Sequence, residues 1–216
     1  LFASEGKGLT RTTQLTVDHC DLDPSSLRLE GSCAGGQYTS PAKESLHFNM
    51  LVLALEKNRL AWRWLLSASS ASNGSGPDRG RARALDVLES KLASYTAWVR
   101  AYPSFGGLLP WVGVSQTEGF VLDSARNVTV PGLDNGQLLW SLYAVTKSLE
   151  GLAGGTVAEG TGTGTAAEGT NSQTRSLAAG YRALLSSATA AAGTLFFDTA
   201  AARVWSTVVV DDPTQP

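Results

Sequence analysis

The sequence predicts a mainly helical protein made of antiparallel helix pairs, with one small β-hairpin near its end. Apolar residues recur at three- and four-residue spacing in four long segments. Polar, glycine-rich stretches separate the two members of each pair. Only Thr194 to Val210 carries a strand, turn and strand signal. At 216 residues and 43% hydrophobic, the chain has enough apolar mass for one core, so residues 1–216 are expected to form one domain or part of one.

Residues 1–43 read as extended or irregular, with Leu27 to Glu30 alternating like a short strand. The first helix is expected to start at Ser40-Pro41-Ala42-Lys43-Glu44: Ser40 can cap it, Pro41 suits the first helical position, and Glu44 is acidic in the first turn. It continues through Leu46, Met50, Leu53, Leu60, Trp62 and Leu65 with little polar relief, the pattern of a helix buried between layers. Residues 67–80 form a low-complexity insertion too polar to fold alone. A second helix places Leu85, Leu88, Leu92, Tyr95 and Val99 on one face and ends before Pro103. A third starts near Asp134 or Asn135, either of which can cap it, and residues 151–172 form a second low-complexity insertion. A fourth spans about 174–192 and is expected to stop at Gly193.

The net charge of −2, with 17% charged residues, offers no basic face for nucleic acid and no polybasic membrane anchor. A neutral polysaccharide or oligosaccharide suits such a surface, and the oligomeric state is left open. No run reaches the roughly 18 apolar residues of a membrane span. The chain opens at Leu1 without a basic-then-apolar leader, so its native start is expected to have been removed or to lie outside the sequence. Cys20 and Cys33 are either a surface disulfide or two free thiols; no His/Cys cluster accompanies them, and no metal or nucleotide motif appears, so no cofactor is expected. Asn73-Gly74-Ser75 and Asn127-Val128-Thr129 match the N-glycosylation pattern in expected loops. Together with the cysteines they suggest a secreted protein.

The stretch from Gly106-Gly107-Leu108-Leu109-Pro110-Trp111 to Gly136-Gln137-Leu138-Leu139-Trp140 is too long for a turn and too apolar to stay solvated, so it reads as an ordered, working loop. If successive helices are antiparallel, it shares one end of the molecule with Tyr38 to His47, and the two insertions occupy the other. Trp111 is either a stacking platform for a sugar ring or a tryptophan closing the core. Asp134 and Asn135 either cap the helix or direct hydrogen bonds at sugar hydroxyls. Gln137 lies within the helix, and Trp140 reads as a core residue. Glu44 and His47, three apart, share a helical face and either line a pocket or form a capping or surface pair. Glu118 is either a loop charge or a ligand beside Trp111. Glu44, Glu118 and Asp134 are the candidate carboxylates for acid–base work on a glycosidic bond.

Ser40-Pro41-Ala42-Lys43-Glu44-Ser45-Leu46-His47, Gly106 to Trp111 and Val130-Pro131-Gly132-Leu133-Asp134-Asn135-Gly136-Gln137-Leu138-Leu139-Trp140 resemble the N-terminal half of the endo-β-1,2-glucanase family and its glucoamylase-like relatives. The likeness extends over residues 38–210. It implies part of an α/α barrel, an incomplete toroid of paired helices, and a β-hairpin where Phe196 to Val210 falls. It further implies inverting hydrolysis of internal β-1,2-glucan linkages, with the catalytic pair beyond the last residue of this chain. The alternative from another class is a non-catalytic carbohydrate-binding or helical scaffold module.

Overall fold

The structure, a computed structural model, describes residues 4–5, 8–10, 12–16, 38–66, 76–115, 117–122, 128–154 and 165–215. Leu27 to Glu30, Cys20, Cys33, Asn73 and Asn127, on which the strand, disulfide and glycosylation expectations rest, lie outside the described residues. Among the described residues no helix is long and apolar enough to cross a membrane.

After a short paired β1 (Ser4–Glu5) and β2 (Gly8–Leu9), strand β3 (Tyr38–Thr39) leads into α1 (Pro41–Leu55). Helix α1 starts as its residues dictate, with Pro41 in the first turn and the Ser40 hydroxyl accepting from the Lys43 amide at 3.4 Å. It does not run on to Leu65 as the apolar pattern suggests. Lys57 takes a left-handed φ of 62°, and Asn58 then caps a separate α2 (Arg59–Leu66) by accepting from the amides of Leu60 and Ala61. Periodicity cannot register such a break, because one left-handed residue changes direction without changing composition.

Helix α3 (Pro77–Ala101) begins inside the expected first insertion, since Pro77 suits a first helical position, so residues 77–80 are helical. A 3-10 turn (Pro103–Phe105) and the Gly106–Gly107 pair then reverse the chain. Gly106 sits at φ 59°, and a Cβ there would stand 2.5 Å from the Ala191 Cβ, so the turn requires glycine on both conformational and steric grounds. The working loop is a meander: β4 (Val112–Ser115) and β5 (Gly119–Val121) form a hairpin, with β3 antiparallel on the other side of β4. Strand β6 (Thr129–Pro131) feeds α4 (Gly132–Gly154).

Helix α5 (Thr165–Phe196) is longer than expected at both ends. The second insertion thus loses 151–154 to α4 and 165–172 to α5, and Gly193 is carried through because the helix is packed against the core from Leu177 to Phe196. The C-terminal hairpin is shorter than the pattern implied. β7 (Phe197–Asp198) pairs with β8 (Arg203–Val204), but β9 (Thr207–Val209) leaves to pair antiparallel with β6.

Specific bonds set the helix directions. Arg81 donates to the Leu55 carbonyl at 3.0 Å while Lys91 meets Glu44, so α3 runs antiparallel to α1. Gly132 lies against Phe196 while Glu150 pairs with Arg182, so α5 runs antiparallel to α4. The Ser141 hydroxyl donates to the Ser45 hydroxyl at 3.1 Å where α1 and α4 lie side by side, and the Tyr181 hydroxyl donates to Leu88 O where α5 meets α3. Two layers result, α1 with α4 and α3 with α5, over a core that includes Phe48, Leu88, Trp98, Leu142 and Tyr181. The open faces differ. α3 and α5 show small and polar residues to solvent, whereas the α1/α4 layer shows Leu46, Leu53, Leu133, Trp140 and Tyr143.

Candidate functional site

The segment before α1, the meander between α3 and α4, and the strands after α5 meet at one end of the helices, as the strand pairs β3–β4 and β6–β9 require. This mouth is the end at which the sequence places its working loop. The helix ends Leu66, Pro77, Gly154 and Thr165, which flank the two insertions, face the other way.

Asn135 organises the mouth from beneath. Its side-chain oxygen accepts from the Leu109 amide at 2.9 Å, and its nitrogen donates to the carbonyls of Leu109 and Pro131, both at 2.8 Å. Trp98 donates to the Leu108 carbonyl at 3.0 Å. Leu108, Leu109 and Pro110 are thereby drawn into the core, and Trp111 emerges directly after them with 63% of its surface open. Asn135 is fully buried and is neither a helix cap nor a group free to meet a ligand, which corrects both expectations for it. Its amide instead mimics a backbone partner for a loop that has no ladder of its own. Asp134 is half-buried in the first turn of α4, where the helix has already begun at Gly132, so it is not the cap either. Leu133, Gln137 and Trp140 follow on the open face of α4. Trp140, expected in the core, is 76% exposed and meets Tyr143 edge to face at 6.1 Å. Glu118 is exposed at the β4–β5 turn, where its amide donates to the Ser115 hydroxyl.

Glu44 and His47 face inward, at 0% and 4% exposure, and so lie neither on an open pocket wall nor as a surface pair. The Glu44 carboxylate accepts from the Thr16 amide at 2.8 Å, the Thr16 hydroxyl at 2.7 Å, Lys91 at 2.7 Å and Tyr95 at 3.4 Å. Both ionic partners are 0% exposed. Burial pushes the Lys91 ammonium down from its usual range while Glu44 opposes that shift; burial first, and then Glu44, push the Tyr95 phenol well up. This carboxylate joins the N-terminal segment, α1 and α3, and its oxygens are already engaged. His47 packs edge-on against Trp64 at 5.7 Å, and neither ring nitrogen has a hydrogen-bond partner among the described residues. Burial, then the charges of Lys91 and Arg83, hold it well below 6.5, so the ring is neutral near pH 7.

Sequence reasoning missed Trp205. The hairpin brings it to the mouth, where the Gly132 amide donates to the Ser206 carbonyl at 2.7 Å and the Arg203 guanidinium lies 4.1 Å from the Trp205 ring centre. The strand pattern around Val204 was visible, but which strand it would join was not. A recess of about 430 Å³ between α4 and α5 lies at the far end, lined by Glu150, Arg175 and Arg182, with Glu150 and Arg182 paired at 2.6 Å.

Among curated proteins none matches this chain. Two solved structures share its fold: an endo-beta-1,2-glucanase from Talaromyces funiculosus in complex with sophorose, and a mutant of that enzyme with beta-1,2-glucan. Each superposes with a TM-score of 0.77 at 22% identity, over 100% of this chain and 38% of the other. The chain thus spans less than half the length of these relatives, and the shared fold is that of an α/α toroid, of which the two helix pairs form an arc. The family model for endo-beta-1,2-glucanase SGL matches residues 15–216, nearly the whole length, and the chain belongs to that family.

Proposed function

We propose that this chain supplies part of the sugar-binding mouth of an endo-acting glycoside hydrolase that cleaves β-1,2-glucan with inversion. The observation that carries the reading is the joint placement of exposed Trp111 and Gln137 and half-buried Asp134 at the α4 entrance, held by the Asn135 clamp. An aromatic face suits the C–H side of a pyranose, and a carboxylate and an amide suit its hydroxyls. Glu118 extends the polar rim. The family and the solved relatives support glucan as the ligand class.

Inverting hydrolysis needs two carboxyl groups about 6.5–9.5 Å apart, one protonating the leaving oxygen and the other activating water. Glu44 is unsuited to either role, because Lys91, Tyr95 and Thr16 occupy its oxygens. With Glu118 and Asp134 read as sugar ligands, the acid and base are assigned to the part of the full-length enzyme outside this chain, and this chain alone is expected to be inactive. No cofactor enters the proposed reaction. The test is to express the full-length gene product with β-1,2-glucan and follow new reducing ends and their initial anomer by NMR. Short oligosaccharides released with inverted configuration support the reading. Glucan binding without new reducing ends would instead identify a non-catalytic carbohydrate-binding module.

The domain proposal is one unit over residues 1–216 within a larger barrel. Secretion and glycosylation at Asn73 and Asn127, with a Cys20–Cys33 disulfide, are proposals from the sequence. The mass of the native protein before and after deglycosylation, with and without reduction, tests them together.

A further inference from the structure

We propose that Trp205 is a second aromatic platform for the glucan chain, set across the α4 entrance from Trp111 by the C-terminal hairpin; this rests on the glucan reading above. Its place is set by backbone bonds. The Trp205 amide donates to the Phe196 carbonyl at 2.8 Å, and the next residue accepts from Gly132, the first residue of α4. A Cβ on Gly132 would stand 3.1 Å from the carbonyl oxygens of both Trp205 and Ser206, so a side chain there would push the hairpin back by a few tenths of an ångström. Trp111 is tied to the same turn of α4 through Leu109 and Asn135. Both tryptophan-bearing segments are therefore fastened to the first turn of α4.

The ring is also fixed in orientation. Arg203 stacks on one face at 4.1 Å and is itself held by Asp198 at 3.2 Å, while the other Asp198 oxygen accepts from the amides of Ala200 and Ala201 in the turn. A cation on one face orders the indole without enclosing it, and 42% of its surface stays open. A ring ordered before the ligand arrives loses little freedom on binding, which favours a neutral, weakly held polymer such as a glucan. The edges of Arg203 and Asp198 add donors and acceptors for hydroxyl groups beside the platform.

The experiment compares wild-type full-length protein with Trp205→Ala, Trp205→Phe and Arg203→Ala, reading KM and kcat on long β-1,2-glucan together with the melting temperature. Trp205→Ala should raise KM about tenfold, the low end of what an aromatic stacking contact is worth. The Phe variant should raise it about threefold, and Arg203→Ala less than Trp205→Ala, with kcat changed less than about twofold throughout. An active wild type whose KM is unmoved in both Trp205 variants overturns this inference and leaves the glucan reading standing. A wild type that neither cleaves nor binds β-1,2-glucan overturns both. Failure of both Trp205 variants to fold identifies the residue as a hairpin anchor and overturns the inference as well.

Discussion

Glu44 and Asp134 are each an acidic residue in the first turn of a helix, on two neighbouring helices that enter the molecule from the same end. Their surroundings have little in common. Over α1 the N-terminal segment closes down: Thr16 donates twice to Glu44 and also bonds Thr39, and Lys91 and Tyr95 complete a shell that excludes water. Over α4 the hairpin and the Leu109 loop pack against the back of the first turn and leave Asp134 and Gln137 at the surface. A carboxylate with every oxygen engaged holds segments together, whereas one at a half-open mouth keeps acceptor capacity for a ligand. An acidic residue in the first turn is thus enclosed in one pair and left partly open in the other, and the covering segment makes the difference.

The sharpest way to break this contrast is to remove the enclosed charge. Glu44→Ala should cost about 3–5 kcal/mol in denaturant unfolding, because Lys91 is left buried without its partner. A loss below about 1 kcal/mol would show that water reaches the cluster. Next in size is Asn135→Ala, expected to cost about 2–3 kcal/mol by stranding the Leu109 amide and carbonyl. Its neighbour should behave oppositely, with Asp134→Asn changing stability by less than about 0.5 kcal/mol while weakening glucan binding measured by calorimetry. Equal unfolding costs for the two would dissolve the distinction between clamp and ligand.

Trp111→Ala should weaken glucan binding roughly ten- to hundredfold, equivalent to about 1–3 kcal/mol, with the melting temperature nearly unchanged. Unfolding without a separable binding effect would make it a core closure after all. The smallest effect concerns pH. His47 is held well below 6.5 in the folded protein, so as pH falls the unfolded chain takes up its proton first. Stability should be level above pH 6.5 on this account and decline below it, toward the folded value. His47→Phe keeps the ring contact with Trp64 and removes the titration, so it should flatten that part of the acid limb and leave stability at pH 7 within about 1 kcal/mol. An acid limb identical to that of the wild type would place the pH sensitivity elsewhere.

Local chemistry was legible wherever the deciding partner lies within a few residues. Ser40-Pro41 starts α1, Pro103 follows the end of α3, and the periodic leucines of α3 and α4 face the core as their spacing requires. The working loop and its end of the molecule followed from the alternation of helices and insertions, which is itself a property of the chain order. Where a partner is distant, the same reading went astray. Glu44 and Lys91 are 47 positions apart, Asn135 and Leu109 are 26 apart, and β9 finds β6 rather than a neighbour in the hairpin. By itself the sequence determined the helical class, the paired order and the end at which polar and aromatic groups gather, because propensity, capping and periodicity act over single turns. Only the tertiary structure decided which of those groups are enclosed and which stay open, since burial depends on the segment that folds over a residue, and no local pattern records which segment that is.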